Sequence, residues 1–119
     1  MDKLYKVGTY IEEYNKLLNI NLPCTPIYVS HGLKKHIQSR HSNCISYIAK
    51  IPDIINSPDY IGTNPKEPNS IELVKIYNDN IQIGIKLDTS QNYLYVATLF
   101  DIKESKIKRR LNSGRLKRF

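Results

Sequence analysis

Tryptophan is absent from this 119-residue chain, which holds only two cysteines, two phenylalanines, five glycines and six prolines. Cys24 and Cys44 form no C-x-x-C pair and give no disulfide framework, so both are read as thiols. Joining Cys44 to His36 and His41 as a metal site leaves no fourth ligand at a recognised spacing, and no metal and no cofactor are expected. Apolar runs are also missing. None reaches the length of a membrane span, and the opening Met1-Asp-Lys-Leu-Tyr-Lys-Val-Gly lacks the apolar block of a secretory signal, so a cytoplasmic location without a membrane partner is expected.

Acidic residues are scarce at one end. Residues 103–119 hold eight Lys or Arg against Glu104 alone, which equals the net charge of the whole chain, +7. Residues 1–102 therefore carry ten charges of each sign and sum to zero. Such a cationic end suits RNA, DNA, anionic membranes or acidic partner proteins. Ile107 and Leu111 are too few for a membrane-binding face and are expected to dock a helix on the core instead.

What is present begins with length and patterning. One domain is expected over 1–119, with an N-terminal helix and lead-in at 1–26, a helix-plus-sheet core at 27–103, and a basic helix and tail at 104–119. Thr9-Tyr-Ile-Glu12 has the form of a capping box, and Ile11, Tyr14, Leu17 and Leu18 follow at helical spacing, predicting a helix over about 10–19. Ile27-Tyr-Val-Ser30 reads as a short strand running into a helix capped by Ser30. At about 100° per residue that helix puts Leu33 and Ile37 in one stripe, with His36 and Arg40 on one flank and His41 on the other. Residues 44–58 read as a short helix broken at Pro52 and closed at Pro58.

After Ser70 the period changes from 3.6 to 2. Three strands are expected at Ser70–Tyr77, Asn80–Asp88 and Asn92–Lys103, joined at Asn78-Asp79 and at Thr89-Ser-Gln-Asn92. Ile81, Ile83, Ile85 and Leu87 then share a core face with Val74, Ile76, Leu94, Val96, Thr98 and Phe100. Lys75, Gln82, Gly84, Lys86, Tyr95 and Ala97 fall on the opposite face, with Lys86 across from Tyr95. The glycine in mid-strand leaves room there for something to approach. A basic helix over about 104–112, ended by Gly114, completes an α+β fold with N-terminal helices on one face of an antiparallel sheet of about four strands. The His36/His41 helix is expected near the open face of that sheet. Because the anchors Ile107 and Leu111 and the stop at Gly114 come before residue 115, the basic helix is expected to stay folded without residues 115–119.

Four separated blocks carry a family resemblance. They are Gly32-Leu-Lys-Lys-His-Ile-Gln-Ser-Arg-His41, Ile51-Pro-Asp-Ile-Ile-Asn-Ser-Pro-Asp-Tyr-Ile-Gly62, Tyr93-Leu-Tyr-Val-Ala-Thr-Leu-Phe100 and Ser105-Lys-Ile-Lys-Arg-Arg-Leu-Asn-Ser-Gly114. Together, over about 27–117, the chain resembles the phage-associated branch of the barnase, EndoU, colicin and RelE-like (BECR) nuclease fold. The resemblance implies a curved antiparallel sheet and a metal-independent endoribonuclease, a toxin or mobile-element effector whose substrate is RNA, tRNA among the candidates. It also implies that the 2′-hydroxyl attacks the adjacent phosphorus to leave a 2′,3′-cyclic phosphate.

That reaction needs a base, an acid and cations around the phosphorane. His36 and His41 are the candidates for proton transfer, Lys75 and Lys86 for phosphate charge, and Tyr95 for orientation or proton donation. Thr98 matches a recurrent hydroxyl of the family's last strand, although periodicity alone puts it on the apolar face. Arg40, Lys108, Arg109, Arg110, Arg115, Lys117 and Arg118 are the expected nucleic-acid contacts. Each has a plainer role open to it: histidines flanking an apolar stripe are often packed surface residues, strand lysines solubilise a face, and Tyr is a favoured strand residue. A noncatalytic nucleic-acid-binding module, or a RelE-like toxin acting on a protein or DNA target, is the alternative reading. An acidic inhibitor or antitoxin protein would be a partner in either case.

Overall fold

A computed structural model describes residues 4–40 and 42–119. In chain order its elements are β1 (Leu4–Thr9), α1 (Glu12–Leu18), β2 (Pro26–Ser30), α2 (His31–Arg40), a 3-10 helix (Ser42–Lys50) and α3 (Ile51–Asn56). There follow β3 (Tyr60–Gly62), β4 (Ser70–Ile76), β5 (Asn80–Asp88), β6 (Tyr93–Asp101), α4 (Glu104–Ser113) and β7 (Leu116–Arg118). The strands form a seven-stranded sheet in the order β1-β2-β6-β5-β4-β3-β7, in which β2 and β6 run parallel and the other neighbours antiparallel. The α+β class stands, while the expected four antiparallel strands become seven in a mixed sheet. Two of the additions, β1 and the three-residue β7, lie at the two edges of the sheet.

Local chemistry sets most boundaries. Ser30 caps α2 by accepting the Leu33 amide at 3.3 Å. The expected capping box at α1 is not made: Ile11 is the cap, without a side-chain hydrogen bond, and Asn19 ends the helix in the left-handed region. Pro52 falls in the first turn of α3, where a missing N–H costs nothing. At the β5–β6 connection the Asp88 carboxylate accepts the Ser90 and Gln91 amides, and Asn92 takes the positive φ of 56°. Gly114, at φ 85°, closes α4 as expected.

The sheet is covered on both faces, unequally. On one, Tyr10, Tyr14, Leu33, Ile37, Ile51, Ile54 and Ile55 from the helical layer and its lead-in pack on Ile71, Leu73, Ile81, Ile83, Ile85, Leu94, Val96 and Leu99. On the other, α4 lays Ile107 and Leu111 over Val74, Ile102, Leu116 and Tyr60 at the β4-β3-β7 end. This second cover corrects the register phase of β4. Its sequence is apolar in both phases, and the structure buries Ile71 and Leu73 under the helical layer and Val74 under α4, with Ile76 on the α4 face and 48% exposed. Lys75 accordingly lies on the helix-covered face, away from Lys86. The α2 helix also packs on that face through Leu33 and Ile37, which corrects its expected place near the open one.

A second correction comes from a β-bulge in β6. The pairs Asp88↔Tyr93, Leu87↔Leu94, Lys86↔Tyr95 and Ile85↔Val96 follow the expected register, but Gly84 pairs with Thr98, leaving Ala97 as the extra residue. Past the bulge every side chain changes face. Leu99, not Thr98 or Phe100, enters the main core, and Thr98 turns to the open face beside Gly84. Among the described residues, no helix is long and apolar enough to cross a membrane.

Candidate active site

The open face between α4 and β6 forms a cleft of about 230 Å³. Its floor comes from β4, β5 and β6 through Glu72, Gln82, Gly84, Lys86, Thr98 and Phe100; its walls come from Asn64, Glu67 and Ser70 on one side and from Arg110 and Arg115 on the other. Gly84 is needed here for space. A Cβ at that position would stand 2.6 Å from the Thr98 hydroxyl oxygen, so the glycine is what lets Thr98 point into the cleft across the ladder.

Glu72 is the centre of the floor. Its side chain is 9% exposed, and it would be a costly charge to bury alone. Arg115 answers with a bidentate grip, Nε and Nη2 donating to Oε1 at 3.1 and 2.9 Å and Nη2 to Oε2 at 3.1 Å. Gln82 Nε2 donates to Oε2 at 2.9 Å, while Arg110 Nη1 donates to the Gln82 side-chain Oε1 at 2.9 Å and stands 3.9 Å from Glu72 Oε2. Burial pulls the Arg110 guanidinium below its ordinary pKa, and Glu72 pulls it back. Among the described residues no buried side-chain nitrogen or oxygen lacks a partner, so the network is closed. Gly62 supports it from below, its missing Cβ leaving room for the Arg115 carbonyl.

At the other end Lys86 Nζ stands 3.4 Å from Glu67 Oε2, with both side chains well exposed. Two guanidiniums and an ammonium against two carboxylates leave the cleft with one formal positive charge. Chemically, this is a place for an anion of phosphate size with a hydroxyl, Thr98, aimed at it.

The expected site residues divide. Lys86, Thr98, Arg110 and Arg115 line the cleft, and Tyr95 lies beside Lys86 on the same face. Lys75 does not: its Nζ donates to the Ser57 carbonyl and hydroxyl at 2.6 and 3.1 Å, on the other face. His36 and Arg40 are exposed on α2, whose packing stripe meets the helix-covered face, and neither lines the cleft. His41 lies outside the described residues. On α4, Lys108 pairs with Glu104 at 3.8 Å and Arg109 is exposed. The tail is tied down: Lys117 Nζ donates to the Leu17 carbonyl at 3.1 Å, and the Arg118 guanidinium lies 5.6 Å from the Tyr60 ring centre. Glu72 and Glu67 are the charged cleft residues that sequence reasoning missed. The signal for Glu72 was its place in Ser70-Ile-Glu-Leu-Val-Lys-Ile76, a carboxylate amid a strand apolar in both phases, which has to find a cation.

No curated protein and no solved structure gives a match to the chain. A family model does, over residues 5–109. That span includes Glu72, Gln82, Gly84, Lys86 and Thr98 and stops one residue before Arg110. With most of its length matched, the chain belongs to the phage-Barnase-EndoU-ColicinE5/D-RelE like nuclease 3 family.

Proposed function

We propose that the protein is a metal-independent endoribonuclease, a toxin or mobile-element effector that cleaves RNA in the Glu72–Lys86 cleft by 2′-hydroxyl attack. The observation that carries this reading is the convergence of Lys86, Arg110 and Arg115 around Thr98 in one cleft of a nuclease-family chain. A scissile phosphate entering there meets three cations fixed before it arrives, which is where preorganised charge favours a phosphorane over the diester. The Thr98 hydroxyl donates to a non-bridging oxygen. Glu72 acts at one remove: with its carboxylate taken up by Arg115 and Gln82 it holds the guanidiniums in place and is a positioning residue, not a base.

Glu67, the cleft carboxylate at the solvent rim, takes the 2′-hydroxyl proton as base, and the Lys86 ammonium beside it gives a proton to the departing 5′-oxygen as acid. His36 and His41 are the competing pair, and His36 would have to meet the RNA from α2. The test is incubation of purified protein with total RNA in EDTA, with product ends analysed for 2′,3′-cyclic phosphate. Glu67→Gln should then lower the rate by the 10²- to 10⁴-fold typical of a lost acid or base, with His36→Ala and His41→Ala near wild type. The opposite pattern returns the chemistry to the histidines. Intact RNA, or cleavage only with added Mg²⁺, overturns the proposal.

A further inference from the structure

Beyond the cleft, the open face continues toward β1 as a row of tyrosines. Ile27 and Leu94 are fully buried in the main core, so their neighbours Tyr28, Tyr93 and Tyr95 point to the open side. Tyr28 pairs with Tyr95 across the parallel β2–β6 ladder. The Tyr28 and Tyr93 rings meet edge-on with centroids 6.1 Å apart, and Tyr93 and Tyr95 tilt together at 5.8 Å. All three are half-buried, leaving ring surface to solvent. Tyr93 pairs with Asp88 across the β5–β6 ladder. α4, which packs at the far end of this face, leaves the tyrosines clear.

Cations stand on both sides of the row. Lys6 lies across from Tyr28 on β1, and Lys86 across from Tyr95 on β5. With strands spaced about 4.8 Å apart, the track from Lys6 through the rings to Lys86 is about 14 Å long and ends at the cleft. Three adjoining rings flanked by cations go beyond the strand preference of Tyr alone. They match the two needs of a nucleic-acid strand, a π-face for each base and positive charge for the backbone. The rings are packed against one another, so little freedom is lost when a base lands on them.

We propose that Tyr28, Tyr93 and Tyr95 form a stacking platform for unpaired bases of the RNA strand whose phosphate enters the Glu72–Lys86 cleft, so that the protein selects single-stranded over duplex RNA. This rests on the reading of the cleft as the cleavage site. A duplex keeps its bases stacked on each other and has no free face to offer, whereas a loop or single strand lays its bases on the tyrosines.

Binding can be measured without cleavage by using a fluorescently labelled 2′-O-methyl oligonucleotide, which lacks the attacking hydroxyl, and reading anisotropy. The single strand should bind more tightly than the same sequence as a duplex. Each of Tyr28→Ala, Tyr93→Ala and Tyr95→Ala should weaken the single strand by about five- to 140-fold, the range for losing one stacked base. The corresponding Phe variants, which keep the ring, should stay within about twofold. A measurement on the unaltered protein guards against misfolded variants: abasic spacers at successive positions should lower affinity as the Ala variants do. Abasic strands binding like the parent, or single strand and duplex binding alike, overturns the platform. If the platform results hold but natural RNA stays intact in EDTA, the cleavage reading falls and the platform stands. If RNA is cleaved yet Ala variants bind as wild type, the reverse follows.

Discussion

Replacing Glu72 by Gln removes one negative charge and almost no volume from the floor of the cleft. In the native protein the carboxylate takes both edges of the Arg115 fork and the Gln82 amide, and its side chain is only 9% exposed. A glutamine keeps one acceptor oxygen but turns an NH₂ toward donors of Gln82 and the guanidiniums. Arg110, 11% exposed, is then left without its nearest carboxylate, and Arg115, 25% exposed, keeps a single partner there. Breaking a buried pair costs about 3–5 kcal/mol. The partial exposure of Arg115 argues for the lower end, about 3 kcal/mol, which for a chain of this length lowers the melting temperature by roughly 10–15 °C. Thermal and urea unfolding of Glu72→Gln measure this directly, the urea slope checking that the unfolded state is unchanged. Inorganic phosphate should restore more stability to the variant than to the wild type, because it supplies the anion that the arginines lost. A variant melting within about 2 °C of wild type would show that the network adds nothing, and with it the argument that Glu72 positions the arginines fails.

Gly84→Ala should cut RNA cleavage more than it cuts stability, because the new methyl displaces the Thr98 hydroxyl, and Thr98→Val should mimic its rate in the same assay. Deleting residues 115–119 removes Leu116, 1% exposed and worth about 2 kcal/mol of burial, together with the Arg115 partner of Glu72. Circular dichroism should show a chain that is mostly unfolded at 37 °C, against the expectation that the basic helix stays folded without the tail. Burial, with Glu13 nearby, pushes the Tyr14 phenol up to about 12, and burial also raises Tyr10 and Tyr77. A folded pKa above the unfolded one adds stability that is complete below about pH 10 and lost as the pH rises toward 12, so urea midpoints should fall over that window and fall less steeply in Tyr14→Phe.

The parts of this fold legible in the sequence are those fixed by one local rule. The Ser30 cap, the stop at Gly114, the stripe of Leu33 and Ile37 and the Lys86↔Tyr95 pair all follow from spacing and turn chemistry. What was not legible depends on contacts distant in sequence. β7 is three residues, two of them cationic, and becomes a strand because β3 offers it an edge and Gly62 lets it come close. Arg110 and Arg115 look like solvent-facing cations until Glu72, about forty residues away, is brought beneath them. Lys75 and Val74 exchanged faces because β4 is apolar in both phases, and only a helix on the second side decides between them.

Thr98 joins these two kinds of information. Alternation from Leu94 and Val96 sends it into the core, and the family likeness sends it to the site. The alternation holds up to Val96 and inverts past Ala97, since one unpaired residue turns every position after it while leaving the pairs before it intact, and the inversion brings Thr98 to the cleft. The inversion has a cost, a break in the ladder, and a return. It places Leu99 in the core where Thr98 would have left an unpaired hydroxyl, and it sets that hydroxyl against the one residue of β5 with no side chain to obstruct it. Gly84 and the bulge therefore belong to a single device, and neither has a structural reason without the other. A glycine in mid-strand weakens a sheet for nothing unless a side chain from the next strand uses the space, and here that side chain is the hydroxyl at the mouth of three cations.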